Sequence, residues 1–217
     1  MTCAPSAFGV ALFDYDGVIT DSSRVRVEGF LEIFSDEPPE ILRGIDEYTS
    51  RHGGESRFSK FQYIYDRILC RPLSPELLGE LCARYAKLVV ERAKAAPFIR
   101  GARELLADIH TTTDCYVISG VPQPELRSLV QLRGLYGMFR DVLGSPIHKA
   151  TLTADVVSRY ARRDNIVFIG DTITDLEAAQ GAGIAFLGVA SPDNAGGLPP
   201  DVEQTTDLMS YRNYFVP

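Results

Sequence analysis

The stretch Val10-Ala11-Leu12-Phe13-Asp14-Tyr15-Asp16-Gly17-Val18-Ile19-Thr20-Asp21-Ser22 decides how the rest of the chain is read. An apolar run stops at two carboxylates two positions apart, and a glycine follows at once. Unbroken apolarity over so few residues suits a strand buried on both faces of a parallel sheet. Asp14 and Asp16 then fall at the strand's C-terminal end, the edge where open α/β sheets place their ligands. Strand alternation points both side chains the same way, and Gly17 frees the backbone to turn beside them. Like charges this close repel, so a site that keeps both supplies a cation or a proton. Two solvated acids at a strand end are the plainer alternative, and the remainder of the chain has to decide.

Immediately after Ser22 the pattern changes. Residues 23–96 read as helix, over 25–34, 39–48, 57–69 and 75–95, with Pro38-Pro39, Gly53-Gly54 and Pro72 as punctuation. Phe58, Phe61, Ile64, Tyr65, Ile68 and Leu69 form a stripe at helical spacing that reads as core. Strand and helix alternate again after Pro97: helix 102–110, strand 115–118 ending at Ser119-Gly120, helix 124–133, strand 141–143, and a helix from Lys149 through Arg162. A strand at 165–169 stops at Gly170-Asp171, a helix runs to Gln180, and 184–189 makes the last strand before a loop over 191–200. Repeated βα units imply a parallel sheet covered by helices on both faces. The expected organisation is a doubly wound α/β core from 1–21 and 98–217, with a helical insert over 22–97.

With 22 Lys+Arg against 29 Asp+Glu, the net charge of −7 argues against nucleic-acid polymers and anionic membranes. An anionic substrate must therefore be held by local cations. Residues 1–6 lack a basic start and an apolar run, and no stretch is long enough to span a membrane, so the expected location is cytoplasmic. Cys3, Cys70, Cys82 and Cys115 have no metal-ligand spacing and read as reduced packing residues.

Polar groups mark four points that parallel topology brings to one edge: Asp14 with Asp16, Ser119, Lys149, and Asp171 with Asp175. Each has a plain alternative. Ser119 suits an ordinary turn and Lys149 a solvated helix start, while Thr174 and Glu177 have capping-box spacing. As a set, Asp14-Tyr15-Asp16-Gly17-Val18, Ser119, Lys149 and Gly170-Asp171-Thr172-Ile173-Thr174-Asp175 resemble the four signature motifs of the haloacid dehalogenase superfamily. The resemblance runs over nearly the whole chain in the right order, and the helical insert is similar to that superfamily's cap.

The resemblance implies a Mg²⁺-dependent phosphatase acting on a small, soluble phosphate monoester. In that reading Asp14 attacks phosphorus to form an aspartyl-phosphate. Asp16 protonates the leaving oxygen and then takes a proton from water. Asp14, Asp171 and the Asp16 backbone carbonyl hold Mg²⁺, a hard ion that wants oxygen ligands. Asp175 orients the site, Lys149 balances charge, and Ser119 with the Gly120 N–H holds phosphate oxygens, helped by the start of the following helix.

Departures narrow the branch. Asp16 argues against dehalogenation, because a halide leaves without a proton, and phosphonatase relatives tend to lack this acid too. The run Gly17-Val18-Ile19-Thr20-Asp21 resembles β-phosphoglucomutase, but Arg26 stands where that enzyme carries a histidine, and no histidine occurs before His52. The phosphoglycolate-phosphatase-like branch is the nearest in pattern. A sugar-phosphate mutase and a non-catalytic phosphate-binding regulator are the rival readings.

Substrate choice is expected in Arg51-His52-Gly53-Gly54-Glu55-Ser56-Arg57. Arg57 precedes Phe61, Ile64 and Ile68 by four, seven and eleven residues and so shares the apolar side of its helix. A cation there pairs with an internal acid or with a substrate anion. His52 and His148 receive no role.

Overall fold

A computed structural model describes residues 7–190 and 197–215. Six strands form one parallel sheet in the order β3-β2-β1-β4-β5-β6: β1 Val10–Phe13, β2 Asp114–Pro122, β3 Asp141–Ser145, β4 Ile166–Gly170, β5 Ala185–Val189 and β6 Gln204–Thr205. β1 lies inside the sheet, paired with β2 on one side and β4 on the other. Its four residues are all buried, and alternation divides them between two cores. Ala11 and Phe13 join the layer containing Leu105, Leu106, Leu126 and Tyr211. Val10 and Leu12 join the opposite layer with Leu152, Val156 and Phe168. This two-sided burial is why the strand carries no polar residue until it ends.

Helices α5 Ala102–Ile109 and α6 Gln123–Leu132 supply the first layer, and α7 Lys149–Ser158 and α8 Ile173–Ala182 the second. Between β1 and α5 stand α1 Ser23–Ile33, α2 Pro39–Arg51, α3 Arg57–Tyr63 and α4 Pro75–Ala95. They have a core of their own, in which Phe30, Phe61 and Tyr85 meet ring to ring with centroids 4.5–6.0 Å apart.

Several boundaries differ from the expected ones. The helix expected over 57–69 is α-helical only to Tyr63 and continues as a π turn over Ile64–Ile68; of the expected stripe Phe61 and Ile64 are fully buried, Tyr65, Ile68 and Leu69 are partly buried, and Phe58, in the first α-helical turn, is exposed. β2 does not stop at Ser119-Gly120. Its register shifts after Ile118 and pairing resumes at Pro122, so both residues sit in an irregular strand end. α7 ends at Ser158 instead of Arg162, and just beyond it the Tyr160 hydroxyl pairs with Tyr116 and Asp114 beside the sheet. The two-residue β6 follows the strand expected to be last; its polar Gln204-Thr205 has no strand pattern to read. Cys82 and Cys115 are buried free thiols, whereas Cys70 is a free thiol at an exposed position. Cys3 and residues 191–196 of the expected loop lie outside the described residues. Among the described residues, no helix is long and apolar enough to cross a membrane.

The helical core makes a direct prediction. Phe61→Ala should lower unfolding free energy by about 3–5 kcal/mol, and Phe58→Ala by less than about 1 kcal/mol, measured by urea denaturation. Equal losses would mean that Phe58 contributes to the helical core as much as Phe61 does.

Candidate active site

Asp14 is the first residue beyond β1, and its N–H donates to the Ile169 carbonyl at 3.0 Å. The chain then closes a tight turn: the N–H groups of Ile19 and Thr20 donate to the Tyr15 carbonyl, and that of Gly17 donates to the Thr20 carbonyl at 2.7 Å. Gly17 has φ +81°, and a Cβ there would lie 2.0 Å from Asp171 Oδ2. Glycine thus meets two demands at once, a left-handed backbone and an open space against the acid at the end of β4.

One amine organises the acids. Lys149, the first residue of α7, places Nζ 2.9 Å from Asp14 Oδ2 and 2.5 Å from Asp175 Oδ1. Asp14 Oδ1 accepts the Tyr15 N–H at 2.7 Å. Asp175 Oδ2 accepts from the Thr172 N–H at 3.1 Å and the Thr172 hydroxyl at 2.7 Å. The cap of α8 is therefore built by Thr172 and Asp175, and the spacing of Thr174 and Glu177 is incidental. Asp175 serves two masters, the helix start and the lysine.

Asp14, Asp171 and Asp175 each bring a carboxylate oxygen within 4.8 Å of the others, and all three are at most 3% exposed. Burial pushes the Asp14 carboxyl up to about 7; Lys149 opposes the rise and Asp175 adds to it. Burial, Asp14 and Asp175 together hold Asp171 well above the usual carboxylate range. Burial disfavours the charge on Lys149, but Asp14 and Asp175 outweigh it and keep the amine protonated. One lysine thus faces three buried acids. The donor set is all carboxylate, and with Asp175 already engaged, Asp14 and Asp171 are the pair suited to a hard divalent cation.

Asp16 lines the same chamber, where Arg26 Nε donates to both of its carboxylate oxygens at 3.1 and 3.2 Å and the Ser22 hydroxyl also donates. Arg26 Nη1 reaches Glu125 Oε1 at 2.8 Å, and Arg57 Nη2 donates to Glu125 Oε2. Arg57 is buried, as its side of the helix requires, and its partner here is an internal acid; its guanidinium also lies 4.8 Å from the centroid of the Tyr85 ring. Ser119 is buried with its Oγ accepting the Val121 N–H at 3.3 Å. Gly120 faces the loop between α2 and α3 so closely that a Cβ on it would fall 2.6 Å from the Gly54 carbonyl oxygen. Asp14, Asp16, Ser119, Gly120 and Arg57 all line this chamber, whose remaining cavity is about 30 Å³. Lys149 joins it to Asp171 and Asp175 from below.

Three further residues shape the chamber without a signal of that role in the four motifs: Arg26 and Lys60 line it, and Glu125 stands behind as the partner of Arg26 and Arg57. Glu125 carries a usable signal, an acid in the first turn of the helix after Ser119, but nothing local says that two arginines from α1 and α3 converge on it.

A family model described as haloacid dehalogenase-like hydrolase matches residues 11–189. No curated protein matches the chain. Among solved structures, a predicted phosphoglycolate phosphatase from Haemophilus somnus is 16% identical, with 97% of this chain and 100% of that one covered and a TM-score of 0.72. CbbY from Rhodobacter sphaeroides, as a mutant in complex with xylulose-(1,5)-bisphosphate, is 14% identical over 92% and 94% of the two chains, with a TM-score of 0.71. The HAD-hydrolase YfnB from Bacillus subtilis, bound to magnesium, is 17% identical over 96% and 99%, with a TM-score of 0.67. At these identities the likeness is one of fold.

The raised carboxyl groups set a pH dependence. A carboxyl whose folded pKa lies above its unfolded value binds protons more tightly when folded, so its stabilisation is greatest at low pH and fades as pH rises. Metal-free protein should therefore lose thermal stability between pH 4 and about 7, by an amount on the order of several degrees. Mg²⁺ should restore more at pH 7 than at pH 5. Asp171→Asn should flatten both trends in a calorimetric pH series, and an unchanged slope would show that these acids do not control it.

Proposed function

Because the chain belongs to the haloacid dehalogenase-like hydrolase family, we propose that it is a divalent-metal-dependent phosphatase that hydrolyses a small phosphate monoester through an aspartyl-phosphate. The observation that carries this reading is Asp14 pinned by Lys149 beside Asp171, with Asp16 opening onto the same chamber. Phosphoryl transfer asks for a placed nucleophile, compensation of charge and a proton for the leaving oxygen.

Asp14 attacks phosphorus, its carboxylate oriented by the Tyr15 N–H and the Lys149 amine. The P–O bond to the leaving group breaks as the Asp14–P bond forms, and Asp16 delivers a proton to the departing oxygen. Asp16 then removes a proton from water as that water displaces the carboxylate of Asp14, releasing inorganic phosphate. Lys149 stays protonated throughout and offsets the charge gathered at Asp14. Ser119 and the Gly120 N–H hold phosphate oxygens ahead of the N-terminus of α6. Asp14 and Asp171, with the Asp16 carbonyl, would hold Mg²⁺, which when bound shields phosphate charge and so lets an anionic nucleophile approach an anionic ester. Asp175 contributes by holding Lys149 and the start of α8 in place.

The helices over 22–97 act as a cap. A 30 Å³ cavity holds about two water molecules, so a phosphate ester enters only when α1–α4 shift away from the sheet edge and is enclosed when they return. In the enclosed state Arg57 is placed to read a substrate anion, exchanging part of its contact with Glu125. The ligands of the related folds are in keeping with small phosphate-bearing substrates, and the net charge with a protein that meets them in the cytoplasm rather than on nucleic acid or membrane.

Asp14→Asn should fold and lose turnover at least about a thousandfold, since an amide supplies no attacking oxygen, as read by phosphate release from a metabolite panel with Mg²⁺. EDTA should abolish release, and Ca²⁺ should inhibit because its looser shell misplaces the nucleophile. Undiminished turnover in Asp14→Asn at matched metal content would assign the attack to another group.

A further inference from the structure

The chamber above Asp14 holds three cations from the helical segment, Arg26, Arg57 and Lys60, and they are not equally matched. Arg26 and Arg57 share Glu125, and Arg26 also holds Asp16. Lys60 is 4% exposed and has no carboxylate within 4.0 Å among the described residues. Its amine has only two long contacts, to the carbonyls of Thr49 at 3.3 Å and Gly53 at 3.5 Å, and lies 5.7 Å from the Phe30 ring centroid. Arg26 offers a second unmet donor group: its Nη2 is buried without a hydrogen-bond partner among the described residues. Arg26 and Lys60 line this chamber together and also line the adjoining space that reaches Asp171.

A buried ammonium without an anion is costly, and a chain keeps one where something else completes it. We propose that Lys60 and the free Nη2 of Arg26 form a second anion site, which receives an anionic group, a carboxylate or a second phosphate, on the leaving-group side of the substrate. This rests on the phosphate-ester reading and narrows it: the substrate is a compact ester with two anionic ends, one at Asp14 and one at Lys60. Arg57 is not sufficient for the second end, because Glu125 already neutralises it. Burial pushes the Lys60 amine down to about 8, against the pull of Glu55 and Asp16, as expected of a cation lacking its counter-ion.

The structural alternative is that Lys60 caps the C-terminal end of α2 through the Thr49 and Gly53 carbonyls. The two roles separate experimentally. In an Asp14→Asn background with Mg²⁺, calorimetry would compare a phosphorylated short hydroxy acid with its neutral amide, and a sugar bisphosphate with the corresponding monophosphate. The anion-tailed member of at least one pair should bind about tenfold or more tightly, and Lys60→Met should erase that preference while Lys60→Arg retains most of it. The pair that shows the effect identifies the anion as carboxylate or phosphate. Lys60→Met should also keep or raise the melting temperature, because it removes an unmatched buried charge. No preference in the parent, or a preference that survives Lys60→Met, overturns the proposal, as does a lowered melting temperature with both members of each pair weakened alike. Phosphate release by the otherwise unaltered chain is scored separately. Lys60-dependent binding without release would sink the phosphatase reading and leave the anion site standing, whereas release without Lys60-dependent preference would do the reverse.

Discussion

The amine of Lys149 between Asp14 and Asp175 is the interaction on which the site depends. Asp14 and Asp171, buried just past adjoining strands, and Asp175, buried in the first turn of α8, repel one another, and water screens them little there. One lysine relieves only part of this, and the rest falls to protons or to a bound cation. The arrangement therefore has a direction: it is poorly stable as a bare cluster of anions and improves when positive charge arrives. Burial raises Asp14 and Asp171, yet the same burial makes any cation placed between them effective, because little solvent competes for either. The parallel sheet makes the crowding unavoidable, since β1 and β4 are hydrogen-bonded neighbours that end level with each other.

A second set of charges joins the helices over 22–97 to the sheet. Glu125, at the start of α6, receives Arg26 from α1 and Arg57 from α3, and Arg26 continues to Asp16. The two arginines are balanced by Glu125 and Asp16, and Lys60 is the cation left with no carboxylate in contact among the described residues. The lower half of the chamber has surplus negative charge and the upper half surplus positive charge. A ligand carrying anionic oxygens toward the upper half, together with a cation toward the lower, satisfies both. A neutral ligand satisfies neither.

How much of this was legible in the sequence depended on whether the cause was local. The short apolar run before Asp14 was readable because burial on both faces removes every polar residue from β1, and sheet topology then foretold that Ser119, Lys149 and Asp171 would lie along one edge. The burial of Arg57 followed from its helical spacing to Phe61 and Ile64. What was hidden arises from partners far apart in the chain. Arg26 and Glu125 are 99 residues apart, Arg57 and Glu125 68, and no periodicity links them. The exposure of Phe58 was hidden for another reason: it stands at helical spacing from Phe61, so the two look equivalent in sequence while only Phe61 is enclosed. The β2 bulge likewise has no composition of its own, although it is what carries Ser119 and Gly120 past the regular ladder.

The closeness of the two units sets a limit on chemistry. At Gly54 and Gly120 the helical segment meets the sheet edge backbone to backbone, and a Cβ on Gly120 would fall 2.6 Å from the Gly54 carbonyl oxygen. Such an approach narrows the space over Asp14 to about 30 Å³, and so little water screens the charges there only weakly. It also fixes how far the ceiling stands from the floor. Lys60 and Arg26 hang from that ceiling, so the gap they leave is a ruler for the leaving group. A long or bulky group prevents the glycine contact and leaves the chamber wet, and a short neutral one allows closure but leaves the amine of Lys60 unpaired. If Lys60 and Arg26 take the anion proposed for them, a short group with an anion at its far end is the kind that neutralises the amine while forcing the glycines least apart, so selectivity and the narrowness of the chamber have one geometric cause.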